Sequence, residues 1–138
     1  MEKPEQIVVF KIENEHFALP VLKVREIITT NQIQSITSEK EEVNGMVMIR
    51  GNIIPIIDFR KILSKEPIEK NANQRVIVMA NEDKKMGLLV DHILQVTRTT
   101  NYEFNEAPKE AHKIITHILK DEKTVIYLID DEKIGEVE

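Results

Sequence analysis

Apolar residues come in short runs separated by polar, turn-prone clusters: Ile7 to Ile12, Phe17 to Ile28, Val43 to Ile49, Ile53 to Ile57, Val76 to Ala80, Gly87 to Val96, Ile114 to Leu119 and Val125 to Ile129. Most of these lengths suit strands and fall short of ordinary helices. The runs are rich in β-branched residues, with 21 Ile and 12 Val in 138 positions. Such side chains pack well on a pleated surface and lose rotamer freedom in a helix. The pattern predicts a mostly β chain folded as barrels or a sandwich. The clearest local signal is Met46 to Ile57, two apolar runs around Gly51-Asn52, a pair that supplies positive φ for a tight hairpin turn flanked by Arg50 and Ile53. Pro55 lacks a ladder donor and is expected on an edge or at a non-bonded position. Asp58 to Leu63 reads as a short helix with the Asp58 carboxylate as its cap.

Residues 64–74 hold Pro67, mixed charges and three side-chain amides, which reads as a solvated connector. It divides one domain, 1–138, into halves of roughly 7–65 and 74–134. The halves resemble each other. Ile54 to Ile62 aligns with Ile126 to Ile134 at an offset of 72, and Leu19, Val21, Val24, Glu26 and Ile27 align with Leu88, Val90, Ile93, Gln95 and Val96 at an offset of 69. Two matches in the same order point to a duplicated unit and two small barrels.

Composition narrows the function. The chain has no cysteine, which removes disulfides, thiolate metal sites and cysteine nucleophiles and fits a reducing compartment such as the cytoplasm. Its 24 acidic residues against 19 Lys and Arg give a formal charge of -5, and the basic residues are scattered, which argues against nucleic acid as a partner. No apolar run approaches the ~20 residues of a membrane span, and the amino terminus has no signal-peptide character.

Candidate chemistry is sparse. His112 and His117 are five residues apart, a spacing that stacks them on neither a strand face nor a helix face, so a metal pair is not expected. The glycines are Gly45, Gly51, Gly87 and Gly135, each isolated, so no phosphate-cradling loop can form and each is expected to mark a turn, a bulge or a close approach. No cofactor is expected. The run Met86 to Asp91 reads as a core strand ended by a polar residue, and Glu103, Glu106 and Glu110 beside Pro108 read as a solvated loop. Glu26 and Arg50 are the charges placed to act as binding determinants, with a surface ion pair as the bland alternative. An enzyme would have to gather Arg50, Asp58 and perhaps His92 around one pocket. A small-molecule sensor is a further alternative.

The stretch Val43 to Arg60 resembles the signature of CheW-like chemotaxis coupling proteins, V-x-G-V-I-N-L-R-G-x-x-x-P-x-x-D-L-R. Val24-Arg25-Glu26-Ile27 and Gly87-Leu88-Leu89-Val90-Asp91 are similar to the family's V-x-E-I and G-x-L-V-D, and the order is the same. The resemblance spans essentially the whole chain. It implies two SH3-like five-stranded β-barrel subdomains sharing a core, with short helices and no catalytic activity. The implied function is an adaptor between the cytoplasmic signalling tip of chemoreceptors and the regulatory domain of a chemotaxis histidine kinase, on the inner face of receptor clusters, with ring or array assembly. A divergent scaffold or sensor outside that complex is the alternative. By the same resemblance Val24, Glu26 and Arg50 are partner-binding positions, and Gly45 and Gly51 set the motif's turn geometry. Pro55, Asp58, Gly87, Val90 and Asp91 are expected to be architectural. Met48 stands where the family usually has Asn, residues 34–42 lack a frequent proline, and His117 replaces a common glycine.

Overall fold

A computed structural model describes residues 3–35 and 43–134; Gly135 and most of the 34–42 stretch lie outside the described residues. Among these, strands β1 (Gln6–Ile12), β2 (Glu15–Pro20), β3 (Val24–Ile28), β4 (Val43–Ile49), β5 (Asn52–Asp58), β6 (Arg75–Met79), β7 (Gly87–Val90), β8 (His92–Arg98), β9 (Glu103–Glu106), β10 (Ile115–Lys120) and β11 (Val125–Ile129) alternate with two short helices, α1 (Phe59–Ile62) and α2 (Asp131–Ile134). The fold is mostly β. The strands form a six-stranded sheet, β8-β1-β2-β11-β10-β9, and a five-stranded sheet, β3-β6-β7-β5-β4.

Each sheet closes on itself. The edge strands of the first, β8 and β9, are consecutive in sequence and joined by the single 3-10 turn Thr99–Asn101. In the second, the chain leaving β3 makes the 3-10 turn Thr30–Gln32 and then pairs with β4, Gln34 exchanging both backbone hydrogen bonds with Met46 at 2.8 Å. Closure removes open edges and wraps one face of each sheet around its own apolar cluster, as in an SH3-like barrel. The first cluster holds Ile7, Val9, Ala18, Leu119, Ile126 and Leu128, with Tyr102 and Phe104 against it. The second holds Val47, Ile54, Ile56, Val76, Val78 and Leu89. The other face of β1 and β2 is buried as well, where Phe10 stacks on Phe17 at 5.9 Å and Phe17 meets Tyr127 at 5.5 Å.

The duplication holds at the level of register. The pair Ile7↔Pro20 recurs 69 residues on as Val76↔Leu89, and Val47↔Ile54 recurs 72 residues on as Leu119↔Ile126. Both later hairpins carry a bulge at the equivalent place, between Val43 and Gly45 and between Ile115 and His117. Even the parallel contacts correspond, Ile56↔Gly87 matching Leu128↔Ala18.

The units nevertheless are not the halves expected from the sequence. The first unit combines residues 1–21 with 93–137, and the second is residues 22–92. The two copies exchange their first hairpins: β1–β2 joins the strands of the later copy and β6–β7 those of the earlier one. A connector at 64–74 therefore divides nothing. It runs within the second unit from α1 to β6, tied down by Arg60 Nη1 donating to the Glu66 carbonyl at 3.0 Å. Two long apolar runs are each two strands: Phe17 to Ile28 breaks at the 3-10 turn Val21–Lys23, and Gly87 to Val96 breaks at Asp91. The acidic stretch expected as a loop is in part strand β9, because Phe104 turns inward while Glu103 and Glu106 are exposed.

Gly45 shows why closure needs its residue type. It sits at the β4 bulge rather than in a turn, and a Cβ there would lie 2.6 Å from the Gln34 carbonyl oxygen and 2.8 Å from Ile33 Cγ2. The carbonyl cannot move away without opening the Gln34–Met46 bridge. Gly45→Ala is expected to cost about 1–3 kcal/mol through this overpacking. Urea unfolding checks it, and a variant as stable as the parent would show that the closure yields freely.

Candidate partner-binding site

The β4–β5 hairpin turns through Arg50 and Gly51, with φ of 49° and 81°, and is closed by the pair Ile49↔Asn52. Two consecutive positive φ values make a type I′ turn, whose twist matches that of the strands. The turn thus sits one residue earlier than Gly51-Asn52, and Arg50 itself adopts the left-handed conformation, a strained state for a residue with a Cβ. Arg50→Asn and Arg50→Val both delete the side chain's interactions, so their difference isolates the backbone. Asn tolerates this conformation and Val does not, and the Asn variant is expected to be more stable by about 1–2 kcal/mol. Equal unfolding midpoints would remove the strain.

Held out at the tip, Arg50 donates from Nη2 to Glu26 Oε2 at 2.9 Å. Glu26 lies on β3, which has a bulge between Val24 and Glu26, while Arg50 caps the hairpin of the opposite sheet edge. The ion pair spans the seam where the barrel closes and brings together residues 24 positions apart. The side chains are 61% and 27% exposed, so the pair contributes little stability, at most about 1 kcal/mol. Val24 beside it is half-buried. The same elements also carry exposed apolar side chains. Met48 and Ile53 face each other across the hairpin and are 59% and 56% exposed, and Ile27 on β3 and Leu22 just before it are exposed too. Met48 adds to the exposed apolar surface of the hairpin, and the direction of the arginine is set by Glu26.

Two cations that sequence reasoning missed line a depression beside Arg50. Arg25 reaches Glu82 at 3.5 Å, and Lys85 Nζ donates to the neutral Asn52 Oδ1 at 2.8 Å. Arg25 was visible next to Glu26, but Lys85 arrives from the β6–β7 connection and no spacing announces it.

The architectural residues have distinct tasks. Pro55 lies on an interior strand at a non-bonded position: its partner Met46 spends both backbone groups on Gln34, and the pairing of β5 with β7 begins only at Ile56. Asp58 caps α1, accepting from the Arg60 backbone N–H at 3.0 Å. Burial pushes its pKa above the usual carboxylate value, opposed by that backbone bond and by the Lys61 and Arg60 charges. Gly87 leaves no room for a Cβ, which would come within 2.7 Å of Val76 Cγ1, and Val90 is core. Asp91 takes a bidentate bond from Arg60, Nε to Oδ1 at 2.9 Å and Nη2 to Oδ2 at 2.8 Å. Arg60 is the architectural residue missing from the sequence reading.

The catalytic grouping does not assemble. Arg50 lines the depression at the tip, Asp58 lines a different cleft, and neither includes His92. His112 Nδ1 accepts from the Ile114 backbone N–H at 3.2 Å, and His117 stacks on Phe104 with ring centroids 4.5 Å apart. Among the described residues there is no group of three metal-ligating side chains and no helix long and apolar enough to cross a membrane.

The family model for the CheW-like domain matches residues 6–138. The chain belongs to the CheW-like domain family. Within it, the chain is 28% identical over 134 residues to the chemotaxis protein CheW of Klebsiella aerogenes, covering 94% of this chain and 81% of that protein. It is 28% identical over 138 residues to the CheW of Thermotoga maritima, covering 98% and 91%. The crystal structure of the scaffolding protein TtCheW from Thermoanaerobacter tengcongensis superposes with a TM-score of 0.83 at 27% identity, covering 98% of this chain and 94% of that one. These CheW relatives and this fold make the chain a chemotaxis coupling or scaffold protein.

Proposed function

We propose that this chemotaxis scaffold couples the cytoplasmic signalling tip of chemoreceptors to the regulatory domain of a histidine kinase, in the cytoplasm and by binding alone. The observation that carries the reading is the Glu26–Arg50 contact. It unites the two motifs associated with partner binding at one exposed point, on elements that also expose Met48, Ile53 and Ile27. An exposed charge pair amid apolar side chains has the anatomy of an interface in which a few residues dominate. A helical tip presenting apolar residues and one charged group would bury Met48 and Ile53 and exchange partners with Arg50 or Glu26. The duplicated unit supplies a second barrel for a second partner, and alternating contacts of this kind extend into rings or arrays.

Calorimetric titration tests each arm separately, with the kinase regulatory domain in one and a receptor-tip fragment in the other. Saturable one-to-one binding of both is the expected result, with Glu26→Ala weakening one of them. Absence of binding to either at tens of micromolar, about -6 kcal/mol, would leave a CheW-like scaffold with other partners.

A further inference from the structure

The second unit contains a polar cleft, separate from the hairpin tip, that the adaptor reading leaves unused. Three nearly buried residues line it: Asp58, Thr30 and Gln74, exposed by only 4%, 5% and 5%. Each keeps one polar group that no described residue partners. Asp58 commits Oδ1 to the α1 cap, and Gln74 commits Oε1 to the Asn71 backbone N–H at 3.1 Å. Asp58 Oδ2, the Gln74 Nε2 donor and the Thr30 hydroxyl form no hydrogen bond with the described residues. Among the described residues no fully enclosed side-chain polar atom lacks a partner, so these three atoms keep some solvent access, on residues that all line the cleft. Polar groups of this kind, on side chains otherwise buried, are left for water or a ligand in the cleft to satisfy.

The duplication supplies an internal comparison. Thr99 is the counterpart of Thr30 at the offset of 69, and its hydroxyl donates to the Pro4 carbonyl at 2.6 Å. Asp130, the counterpart of Asp58, caps α2 in the same way, Oδ1 accepting from the Glu132 backbone N–H at 3.0 Å. One copy satisfies its threonine with the chain itself, and the other leaves the hydroxyl open.

We propose that this cleft binds a small zwitterion, an ammonium and a carboxylate on a short apolar body, as in an α-amino acid. Asp58 Oδ2 is the acceptor for the ammonium, which restores a counter-charge to a desolvated carboxylate. Lys70 at the rim and the Gln74 amide are donors for the ligand's carboxylate, Thr30 bridges the two ends, and Leu89 and Ile68 form the apolar wall. The raised pKa of Asp58 fits a carboxylate whose desolvation outweighs the nearby Lys61 and Arg60 charges. Because α1 begins at this cleft and follows directly from the hairpin strand β5, occupancy would act on the same unit that carries Arg50.

The test is amide NMR of the whole chain titrated to millimolar concentrations with L-leucine, with isoamylamine, which lacks the carboxylate, and with 4-methylpentanoate, which lacks the ammonium. Leucine should shift resonances around residues 30–33 and 67–74 and bind at least about tenfold more tightly than either half-ligand, the step expected for one lost charged hydrogen bond. Asp58→Asn keeps the helix cap, since Asn caps as well as Asp, and should lose leucine binding while its spectrum stays folded. Lys70→Ala, at an exposed position, should weaken it without touching the fold. The proposal is overturned if all three compounds leave these resonances unmoved, if the half-ligands match leucine, or if folded Asp58→Asn binds as the parent does. None of these outcomes bears on partner binding at Arg50.

Discussion

Arg60→Ala is expected to remove about 3–5 kcal/mol of stability, the usual consequence of leaving one member of a buried ion pair alone. The Arg60 and Asp91 side chains are only 10% and 15% exposed, and the guanidinium also holds the Glu66 carbonyl. Its loss takes the bidentate partner from the Asp91 carboxylate, releases the connector after α1 and loosens the junction of β7 with β8. For a domain with a total stability of about 5–15 kcal/mol, that is a large share. Chemical unfolding of the variant measures it directly. Replacing both partners, Arg60→Met with Asp91→Leu, should recover much of the loss, because well-packed apolar groups substitute for a buried pair at little cost. A single variant within about 1 kcal/mol of the parent would place this pair among the ordinary surface contacts.

Arg50→Glu should weaken binding to the partner that contacts the hairpin tip by about 2 kcal/mol or more, roughly 30-fold. The substitution reverses the tip charge that Glu26 engages and sets two carboxylates against each other across the seam. Folding should be almost untouched, because the original pair is exposed and Arg50 occupies a left-handed position that gives no packing in return. Titration with each partner, alongside an unfolding curve, separates the two effects. A variant that binds normally, or one that unfolds well below the parent, would return Arg50 to a structural role.

Much of this architecture is legible in the residue pattern, for identifiable reasons. Alternating apolar runs mark where strands lie, and the hairpin at Arg50-Gly51 follows from a turn signal between two of them. Its exact register does not follow, since Gly51 and Asn52 both tolerate positive φ and only the Ile49↔Asn52 pairing decides between them. The strand β9 is hidden because its acidic residues face outward and only Phe104 betrays the period. Hairpin exchange between the two copies leaves no trace in local pattern, because a strand's sequence states which face is apolar and not which neighbour it will find. The same limit applies to charge. Glu26 and Arg50 are recognisable by resemblance, but their contact across a closed barrel, and that of Arg60 with Asp91 across 31 positions, exist only once the sheets have formed.

The cleft at Asp58 was equally out of reach of the sequence. Its three polar groups come from the 3-10 turn after β3, the end of β5 and the residue before β6, segments that no motif joins. The fold supplies their convergence, and the duplication supplies the comparison with Thr99 that makes it informative.

The most direct measurement is kinase autophosphorylation in a reconstituted mixture of the chemotaxis kinase and a receptor-tip fragment, with and without this protein. The account predicts that the receptor fragment changes kinase activity only when the protein is present, and that Arg50→Glu, though folded, abolishes the effect. Receptor control of the kinase that is equal without the protein, or intact with Arg50→Glu, would contradict it.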